Sequence, residues 1–297
     1  MILLDYNQIS LAAILPFKQD LAKGPEEARN LIRHVILSTI LNYKKKYSSE
    51  HGSVVICCDG RKYWRKEVFQ YYKGDRKKNR DKSDIDFNMV FSILDEMRAD
   101  LINIFPYKVL HIDRAEADDV IAVLAEWSQT NELVEEGLER SPQKMMIVSS
   151  DHDFLQLQKW DNIYQFSPII KKQLKMSKRD LYEKYITHIV KAGDDGIPGI
   201  LGDDDTIVTE GKRMPRMSAK RLAEFLEHGK KACKNDQERR NWDRNEQLIS
   251  FEKIPQDIKD IIINEYIQSI KKVDRMKIMN YLIQNKCRLL LNSLEEF

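Results

Sequence analysis

The sequence predicts an α/β protein with a mostly parallel central sheet covered by helices on both faces, plus a smaller C-terminal helical domain. Short apolar, β-branched runs alternate with longer segments whose apolar residues recur at helical spacing. Strands joined through helices form parallel sheets with both faces covered, which gives three layers. From about residue 180 onward the pattern is helical only. We therefore expect an α/β domain over residues 1–180 and a helical domain over residues 181–297.

The elements follow in chain order. The predicted strands are Ile2–Leu4, Val54–Cys58, Lys108–Ile112 and Met145–Val148. The predicted helices of the first part are Glu26–Tyr47, Phe87–Phe105 and Asp118–Trp127, and those of the second part are Lys178–Lys191, Ser218–Cys233, Gln256–Ile270 and Arg275–Lys286. Residues 131–143 are polar and interrupted by Gly and Pro, which predicts a surface loop, and residues 192–217 are irregular.

Composition excludes several classes of protein. The chain has 297 residues, of which 42% are hydrophobic and 32% charged, so it is long enough for a core and too apolar for a disordered chain. It contains no apolar run of the ~20 residues that cross a bilayer, and its first apolar run has no basic flank and includes Asp5, which argues against a signal peptide. The spacing of the four cysteines is typical of neither a disulfide framework nor a zinc site. We expect a cytoplasmic protein, in the host cytoplasm if it is viral.

Acidic residues follow several of the predicted strands. The candidates are Asp5, Asp59, Glu116, Asp118, Asp119, Asp151, Asp153, Asp194 and Asp195. A single Asp at a strand end is more often a helix cap or a turn residue. Parallel strands, however, bring their carboxyl ends to one edge of the sheet, which is where such folds bind ligands. The sequence therefore predicts that Asp5, Asp59 and Asp151 share one edge.

So many carboxylates cannot all stay ionised at one edge without compensating positive charge. Apart from Arg114, the basic residues lie elsewhere in the sequence, which favours cations as the compensation. Oxygen ligands select hard ions, so we expect two Mg²⁺, for which Mn²⁺ can substitute. Two such ions ~4 Å apart promote phosphoryl displacement without a protein nucleophile. The expected reaction is phosphodiester hydrolysis.

Two stretches carry excess positive charge. Residues 60–82 hold ten Lys/Arg against three Asp/Glu, and residues 206–234 hold eight against three. The first stretch interleaves cations with aromatic rings, which suits a threaded single strand, although a solvated amphipathic helix has the same pattern. We expect residues 75–84 to be mobile without nucleic acid. The candidate nucleic-acid contacts are Arg61, Lys62, Tyr63, Lys66, Tyr72, Arg76, Lys77, Lys78, Arg80, Lys212, Arg213, Arg216, Lys220 and Arg221.

The order of these motifs resembles a known family. A strand-end Asp is followed by a second Asp with YWR…YYKGDRKKNR, then by E-A-D-D, S-S-D-x-D-F and D-G-I-P-G. This series resembles the 5′-nuclease (flap endonuclease) superfamily, and within it the ribonucleases H of T-even-type bacteriophages. The resemblance runs from residue 1 to about residue 230 and more weakly to the end. It implies a PIN-like nuclease domain with a helical DNA-binding part, and an arch or gateway near residues 61–84.

The resemblance also implies roles for individual residues. Asp5, Asp59, Glu116 and Asp118, with Asp119 close by, would hold one metal ion. Asp151, Asp153 and one of Asp194 and Asp195 would hold the other. The family usually separates that last pair by two residues, whereas here they are adjacent, and Asp195, directly before Gly-Ile-Pro-Gly, is the predicted ligand. Arg65 and Lys73 match the basic residues that meet the scissile phosphate. Asp203–Asp205 are expected to form a solvated loop rather than to add ligands.

The implied activity is Mg²⁺-dependent 5′-to-3′ removal of RNA primers from RNA–DNA hybrids, with cleavage of 5′ flaps and nicked duplex, during DNA replication. The implied partners are nucleic acid and replication proteins such as a single-strand-binding protein; we expect a monomer that binds no membrane. The C-terminal segment Leu289–Phe297 could dock on the body of the protein or on such a partner. Two alternatives remain: a PIN-type endoribonuclease, which is usually shorter, and a non-catalytic binder of branched DNA, which would have lost the acidic residues.

Overall fold

The chain forms two compact units in a computed structural model that describes residues 1–21, 24–74, 85–129, 142–269 and 272–297. The first unit consists of Met1–Arg61, Asp84–Lys175 and Gln256–Phe297, and the second unit of Lys62–Ser83 and Met176–Pro255. The expectations for residues 75–84 and for most of the 131–143 loop lie outside the described residues. No helix within the described ranges is long and apolar enough to span a membrane.

The first unit is built on a six-stranded sheet in the order β3-β2-β1-β4-β5-β6. The strands are β1 (Ile2–Asp5), β2 (Val54–Cys58), β3 (Lys108–His111), β4 (Met145–Val148), β5 (Ile163–Ser167) and β6 (Lys172–Leu174). All neighbouring pairs are parallel except β5 and β6, which form an antiparallel hairpin. The predicted mostly parallel sheet is therefore confirmed.

Helices cover both faces of this sheet. The helices of the first unit are α1 (Tyr6–Ile14), α2 (Lys18–Leu21), α3 (Pro25–His51), α5 (Phe87–Ile104), α6 (Ala117–Gln129), α10 (Gln256–Gln268) and α11 (Arg275–Gln284). Ile2 and Leu4 share one core cluster with Ile36 and Ile40 of α3. Leu3 points the opposite way, because successive side chains of a strand alternate, and α6 packs against β1 and β2.

The second unit is helical. It contains α4 (Trp64–Val68), α7 (Lys178–Lys191), α8 (Ala219–His228) and α9 (Asp236–Ile249). Its core includes Phe69, Ile189, Phe225 and Trp242. The mixed charges after residue 235 predict a solvated helix, but α9 also buries Trp242 and two asparagines, Asn241 and Asn245, which are fully enclosed.

The compact units are interleaved in the chain, whereas the predicted division places a single boundary at residue 180. Residues 256–297 belong with the α/β sheet, and residues 62–83 with the helices. The C-terminal segment docks on the body of its own unit: Phe297 is 5% exposed, and its ring centroid lies 5.3 Å from that of Phe105.

Candidate active site

Asp5 is the last residue of β1 and the cap of the helix that follows. Its Oδ1 accepts a hydrogen bond from the Gln8 backbone N–H at 3.2 Å, and its Oδ2 accepts one from Ser149 Oγ at 3.0 Å. The residue is only 6% exposed. Burial, together with the negative charges of Asp59 and Asp151, raises the pKa of Asp5 from 3.8 to about 7. Hydrogen bonds from Gln8 and Ser149 lower the pKa of Asp5, but among the described residues they do not outweigh burial and the neighbouring negative charges.

Asp59 follows β2, the neighbour of β1, and is fixed at both of its oxygens. Asn7 Nδ2 donates to Oδ2 at 2.7 Å, and the Ala117 N–H donates to Oδ1 at 2.9 Å. Since Ala117 is the first residue of α6, the carboxylate lies at a helix N-terminus, where the helix dipole favours negative charge. The two loops touch closely, because the Gly60 N–H donates to Ala115 O at 2.7 Å.

The third acidic group begins α6. Glu116 is 1% exposed, and its N–H donates to Oδ2 of the fully buried Asp119 at 2.9 Å. Asp119 therefore acts as part of the helix start. Asp118 is half-buried, and its charge contributes to raising the pKa of the Cys57 thiol, after burial, Cys58 and Asp5, which places Asp118 near the end of β2. Of the three, Asp118 has the most solvent access.

The fourth acidic group is in the turn after β4. Asp151 is exposed, its N–H donates to Ser149 Oγ at 3.1 Å, and its Oδ1 accepts from the Asp153 N–H at 2.8 Å. Ser149 therefore connects Asp151 to Asp5, since its hydroxyl donates to one and accepts from the other. Asp153 begins the short 3-10 segment Asp153–Lys159.

The sheet brings these groups to one place, as its topology predicts. Asp5, Asp59 and Asp151 follow three adjacent parallel strands and interact electrostatically, and we call this carboxyl-terminal edge of β1, β2 and β4 the acidic edge. Within the described ranges, no three His, Cys, Asp or Glu side chains are grouped closely enough to hold a metal ion as they stand. The donors are carboxylate oxygens, and burial and neighbouring carboxylates disfavour the charge of Asp5, so the chemistry of the edge fits a hard cation although the described residues do not form a closed cage.

Three polar residues of the acidic edge were missed by sequence reasoning. Asn7 fixes Asp59, Ser149 links Asp5 to Asp151, and Gln165 on β5 donates to the backbone of the turn that carries Asp151. Asn7 and Ser149 each lie two residues from an acidic residue, but Asn and Ser are common in turns. Gln165 interrupts an apolar strand, and this polar residue at a buried position is the signal that could have revealed it.

In the second unit, Lys73 and Asp195 contact each other. Lys73 Nζ lies 3.7 Å from Asp195 Oδ2, and the Lys73 N–H donates to Asp195 O at 2.6 Å. The lysine side chain is 7% exposed and lies near the rings of Tyr63 and Tyr72. Asp194 occupies the same loop, where its carbonyl accepts from the Ile197 N–H. The ligand roles of this pair stay predictions.

Arg65 lies inside the second unit. It is 3% exposed, its Nε donates to Leu248 O at 2.7 Å, and its guanidinium stacks 4.5 Å from the Trp64 ring centroid. Its placement gives it a structural role, and its predicted contact with the scissile phosphate stays a prediction.

The candidate nucleic-acid contacts divide by exposure. Exposed basic side chains among them are Arg61, Lys62, Lys66, Lys212, Arg213, Arg216 and Lys220. Arg221 differs from the prediction: it is 9% exposed, and its guanidinium is occupied by Glu224 at 2.7 Å and Glu238 at 2.5 Å, so we leave it out of the proposed interface. Arg76, Lys77, Lys78 and Arg80 lie outside the described residues.

The loop Asp203–Asp205 is paired rather than simply solvated. Asp204 binds Arg240 and Arg244, and Asp205 accepts from Thr209 Oγ1 and Lys212 Nζ. These partners already compensate the charges of Asp204 and Asp205.

Comparison with known proteins decides the family. Residues 2–186 match the model of the 5′-3′ exonuclease N-terminal resolvase-like domain, and residues 183–297 match that of the T4 RNase H C-terminal domain. The chain belongs to the 5′-3′ exonuclease family. It is 34% identical to the Ribonuclease H of Enterobacteria phage T4, over 99% of this chain and 95% of the relative. A 5′-3′ exonuclease of Buchnera aphidicola subsp. Schizaphis graminum is 29% identical over 56% of this chain and 53% of the relative.

Solved structures agree on the fold of this 5′-3′ nuclease. The bacteriophage T5 D15 protein, co-crystallised with metal ions, matches with a TM-score of 0.61 at 18% identity, covering 90% of this chain and 98% of its own. The T5 D15 flap endonuclease, in a pseudo-enzyme-product complex with DNA and metal ions, gives the same TM-score. The resemblance in the sequence and the predicted fold are confirmed. The match over nearly the whole chain separates this nuclease from the shorter PIN-type endoribonucleases.

Proposed function

We propose that this nuclease hydrolyses phosphodiester bonds with divalent cations held at the acidic edge, two Mg²⁺ for which Mn²⁺ can substitute. The observation that carries the proposal is the convergence of Asp5, Asp59 and Asp151 at the ends of three adjacent parallel strands, where burial and the neighbouring carboxylates also raise the pKa of Asp5 to about 7. A cation would remove this repulsion and ionise Asp5 at neutral pH. Carboxylate oxygens are the ligands that Mg²⁺ prefers. The T5 structures that contain metal ions have the same fold.

In this proposal the acidic residues share the cations. Asp5, Asp59, Glu116 and Asp118, with Asp119 at the helix start, would hold one ion, and Asp151 with Asp153 would hold the other. Bound there, the ions would activate a water molecule and stabilise the departing 3′ oxygen. The contribution of Asp194 or Asp195 stays a prediction.

Other side chains orient these acids. The Asn7 side chain and the Ala117 N–H each donate to one oxygen of Asp59, which restricts rotation of its carboxylate group. Ser149 fixes Oδ2 of Asp5. Such hydrogen bonds to ligating groups commonly set affinity and rate, each by about 10–100-fold.

The proposed substrates are RNA–DNA hybrids, 5′ flaps and nicked duplexes that arise in DNA replication in the host cytoplasm. The T4 relative is a Ribonuclease H, and the T5 neighbour is a flap endonuclease found in a complex with DNA. The exposed Lys62, Lys66, Arg213, Arg216 and Lys220 would bind phosphates, which carry no base specificity. Lys73 would exchange Asp195 for a substrate phosphate.

The test compares two aspartates that both follow a strand. Asp59→Asn should lower turnover about 100-fold or more, because it removes a proposed ligand, while binding of the nucleic acid in EDTA persists. Asp113→Asn is the matched control, since Asp113 follows β3 but is exposed. Turnover is measured with Mg²⁺ on a 5′-labelled RNA–DNA hybrid and on a flapped duplex, with EDTA as a further control. Near-normal cleavage by Asp59→Asn would refute the proposal.

A further inference from the structure

Gln165 is a polar residue in the middle of a buried strand. It lies on β5, whose positions alternate between buried and half-buried, and Gln165 takes a fully buried position that is paired with Ile147 of β4. Burying an amide costs free energy unless hydrogen bonds compensate it. An apolar residue could be buried at this position with a smaller loss of free energy. The presence of glutamine therefore indicates a specific role for its amide group.

The amide nitrogen of Gln165 donates to two carbonyls of the turn after β4. Nε2 lies 3.1 Å from Ser149 O and 2.6 Å from Asp151 O. These contacts fix which end of the amide is the nitrogen, because the opposite orientation would place Oε1 against both carbonyl oxygens. Both N–H groups are therefore used to hold one turn.

Among the described residues, Gln165 Oε1 is buried and has no hydrogen-bond partner. Such a group costs about 1–3 kcal/mol. The amide oxygen of Gln165 thus destabilises the fold, whereas the amide nitrogen holds one particular turn. Such a combination is expected where a residue is kept for function rather than for stability.

The turn that Gln165 holds contains Asp151 and contacts Asp5, so it forms part of the acidic edge. Ser149 donates its hydroxyl to Asp5 and accepts from the Asp151 N–H, so a shift of the turn would move both acids. We infer that Gln165 is a positioning residue of the nuclease reaction, which holds the Ser149–Asp151 turn so that Asp5 and Asp151 stay beside each other at the acidic edge, where divalent cations would bind. This inference rests on the proposed function.

The inference predicts a separation of activity from stability. Gln165→Met keeps the volume, removes both donors and also removes the unpartnered Oε1. Losing Oε1 is favourable, but the Ser149 and Asp151 carbonyls lose their donors, so its stability to urea should fall modestly, and cleavage is compared per folded molecule. Its kcat should fall about 10-fold or more, and the Mn²⁺ concentration for half-saturation should rise by a similar factor, with KM for the flapped duplex unchanged.

The measurements are steady-state cleavage, urea unfolding and Mn²⁺ binding followed by the paramagnetic resonance signal of the free ion. Gln165→Glu should behave like Gln165→Met in cleavage, because a carboxyl group lacks the two donors. Gln158→Met is the matched control: Gln158 Nε2 also donates to a backbone carbonyl, that of Leu174, but away from the acidic edge.

Each outcome is decisive. Wild-type kcat and Mn²⁺ affinity in Gln165→Met, with Asp151→Asn inactive, would overturn the positioning role and leave the proposed function intact. A loss of activity that merely follows a loss of stability would also overturn it. An active Asp151→Asn enzyme would refute both the proposed metal site and the role of Gln165 in positioning it.

Discussion

At the scale of single residues, the buried Asp5 of the acidic edge lowers the free energy of unfolding at neutral pH when no cation is bound. Asp5 has a pKa of about 7 in the fold, against 3.8 ordinarily, because burial and the charges of Asp59 and Asp151 disfavour its ionised form. The folded chain therefore keeps a proton that the unfolded chain loses above pH 3.8. The free energy of unfolding consequently falls as the pH rises from about 4 to about 7, and the effect is constant above that range.

The direction of this pH dependence gives a prediction for the Asp5→Asn variant. In EDTA, the variant should gain stability over the wild type as the pH rises from 4 to 7, by about 1 kcal/mol or more. Adding Mg²⁺ at pH 8 should stabilise the wild type and not the variant. Urea unfolding at several pH values, with and without Mg²⁺, measures both effects. Parallel pH profiles for the two proteins would contradict the assigned pKa shift.

At the scale of elements, the loops after β2 and β3 meet at a glycine. A Cβ on Gly60 would lie 2.2 Å from Ile112 O and 2.7 Å from Ala115 O, both of which are backbone atoms that cannot move aside cheaply. The contact holds Asp59 beside the start of α6, so the spacing between Asp59 and Glu116 depends on the absence of a side chain here.

Gly60→Ala should therefore destabilise the fold by about 2 kcal/mol and lower cleavage by the molecules that remain folded. Gly52→Ala is the control: its φ of +81° makes alanine strained, but a Cβ there meets nothing within 4 Å. It should lose stability without losing activity per folded molecule. Circular dichroism gives the folded fraction, and the flap assay gives the rate. Equal specific activities for the two variants would show that the close loop contact does not matter for the acidic edge.

The strands of the sheet differ in how well the sequence predicts them. Strands β1, β2 and β4 are runs of apolar residues, and their ends could be predicted to within a residue, which was enough to bring Asp5, Asp59 and Asp151 together. The hairpin of β5 and β6 was missed, because its exposed strand KQL has no apolar pattern and Gln165 interrupts the other. The side chains that orient the acids come from distant parts of the chain, and their contacts exist only in three dimensions.

Helix α9 illustrates the same limit. Its buried face carries Asn241 and Asn245, whose side-chain amides donate to the carbonyls of Ile200 and Gly202, and of Ile189 and Pro198, respectively. These asparagines are buried because they satisfy carbonyls at the end of α7 and in the irregular segment that follows it. A hydrophobicity pattern counts them as solvent-facing, so the charges after residue 235 predict only a solvated helical surface and not the buried face of α9.

At the scale of the whole molecule, the division of the chain by sequence differs from its division into compact units. The family models divide the chain near residues 183–186, close to the predicted boundary at residue 180. The compact units instead place residues 256–297 with the sheet. The core of the first unit includes Ile278, Leu282 and Phe297 from this last segment. The α/β unit therefore depends on residues that are far from its strands in the sequence.

This dependence predicts that Phe297 stabilises the first unit. Phe297→Ala removes a ring that is 5% exposed and lies against Phe105, so it should lower the free energy of unfolding by about 2 kcal/mol or more. Leu289→Ala, in the same segment but at a side chain that is 77% exposed, should change it by less than about 0.5 kcal/mol. Urea unfolding followed by circular dichroism compares the two with the wild type. If both variants unfold at the wild-type midpoint, the C-terminal segment does not stabilise the α/β unit, and a replication partner becomes the better explanation of its apolar residues.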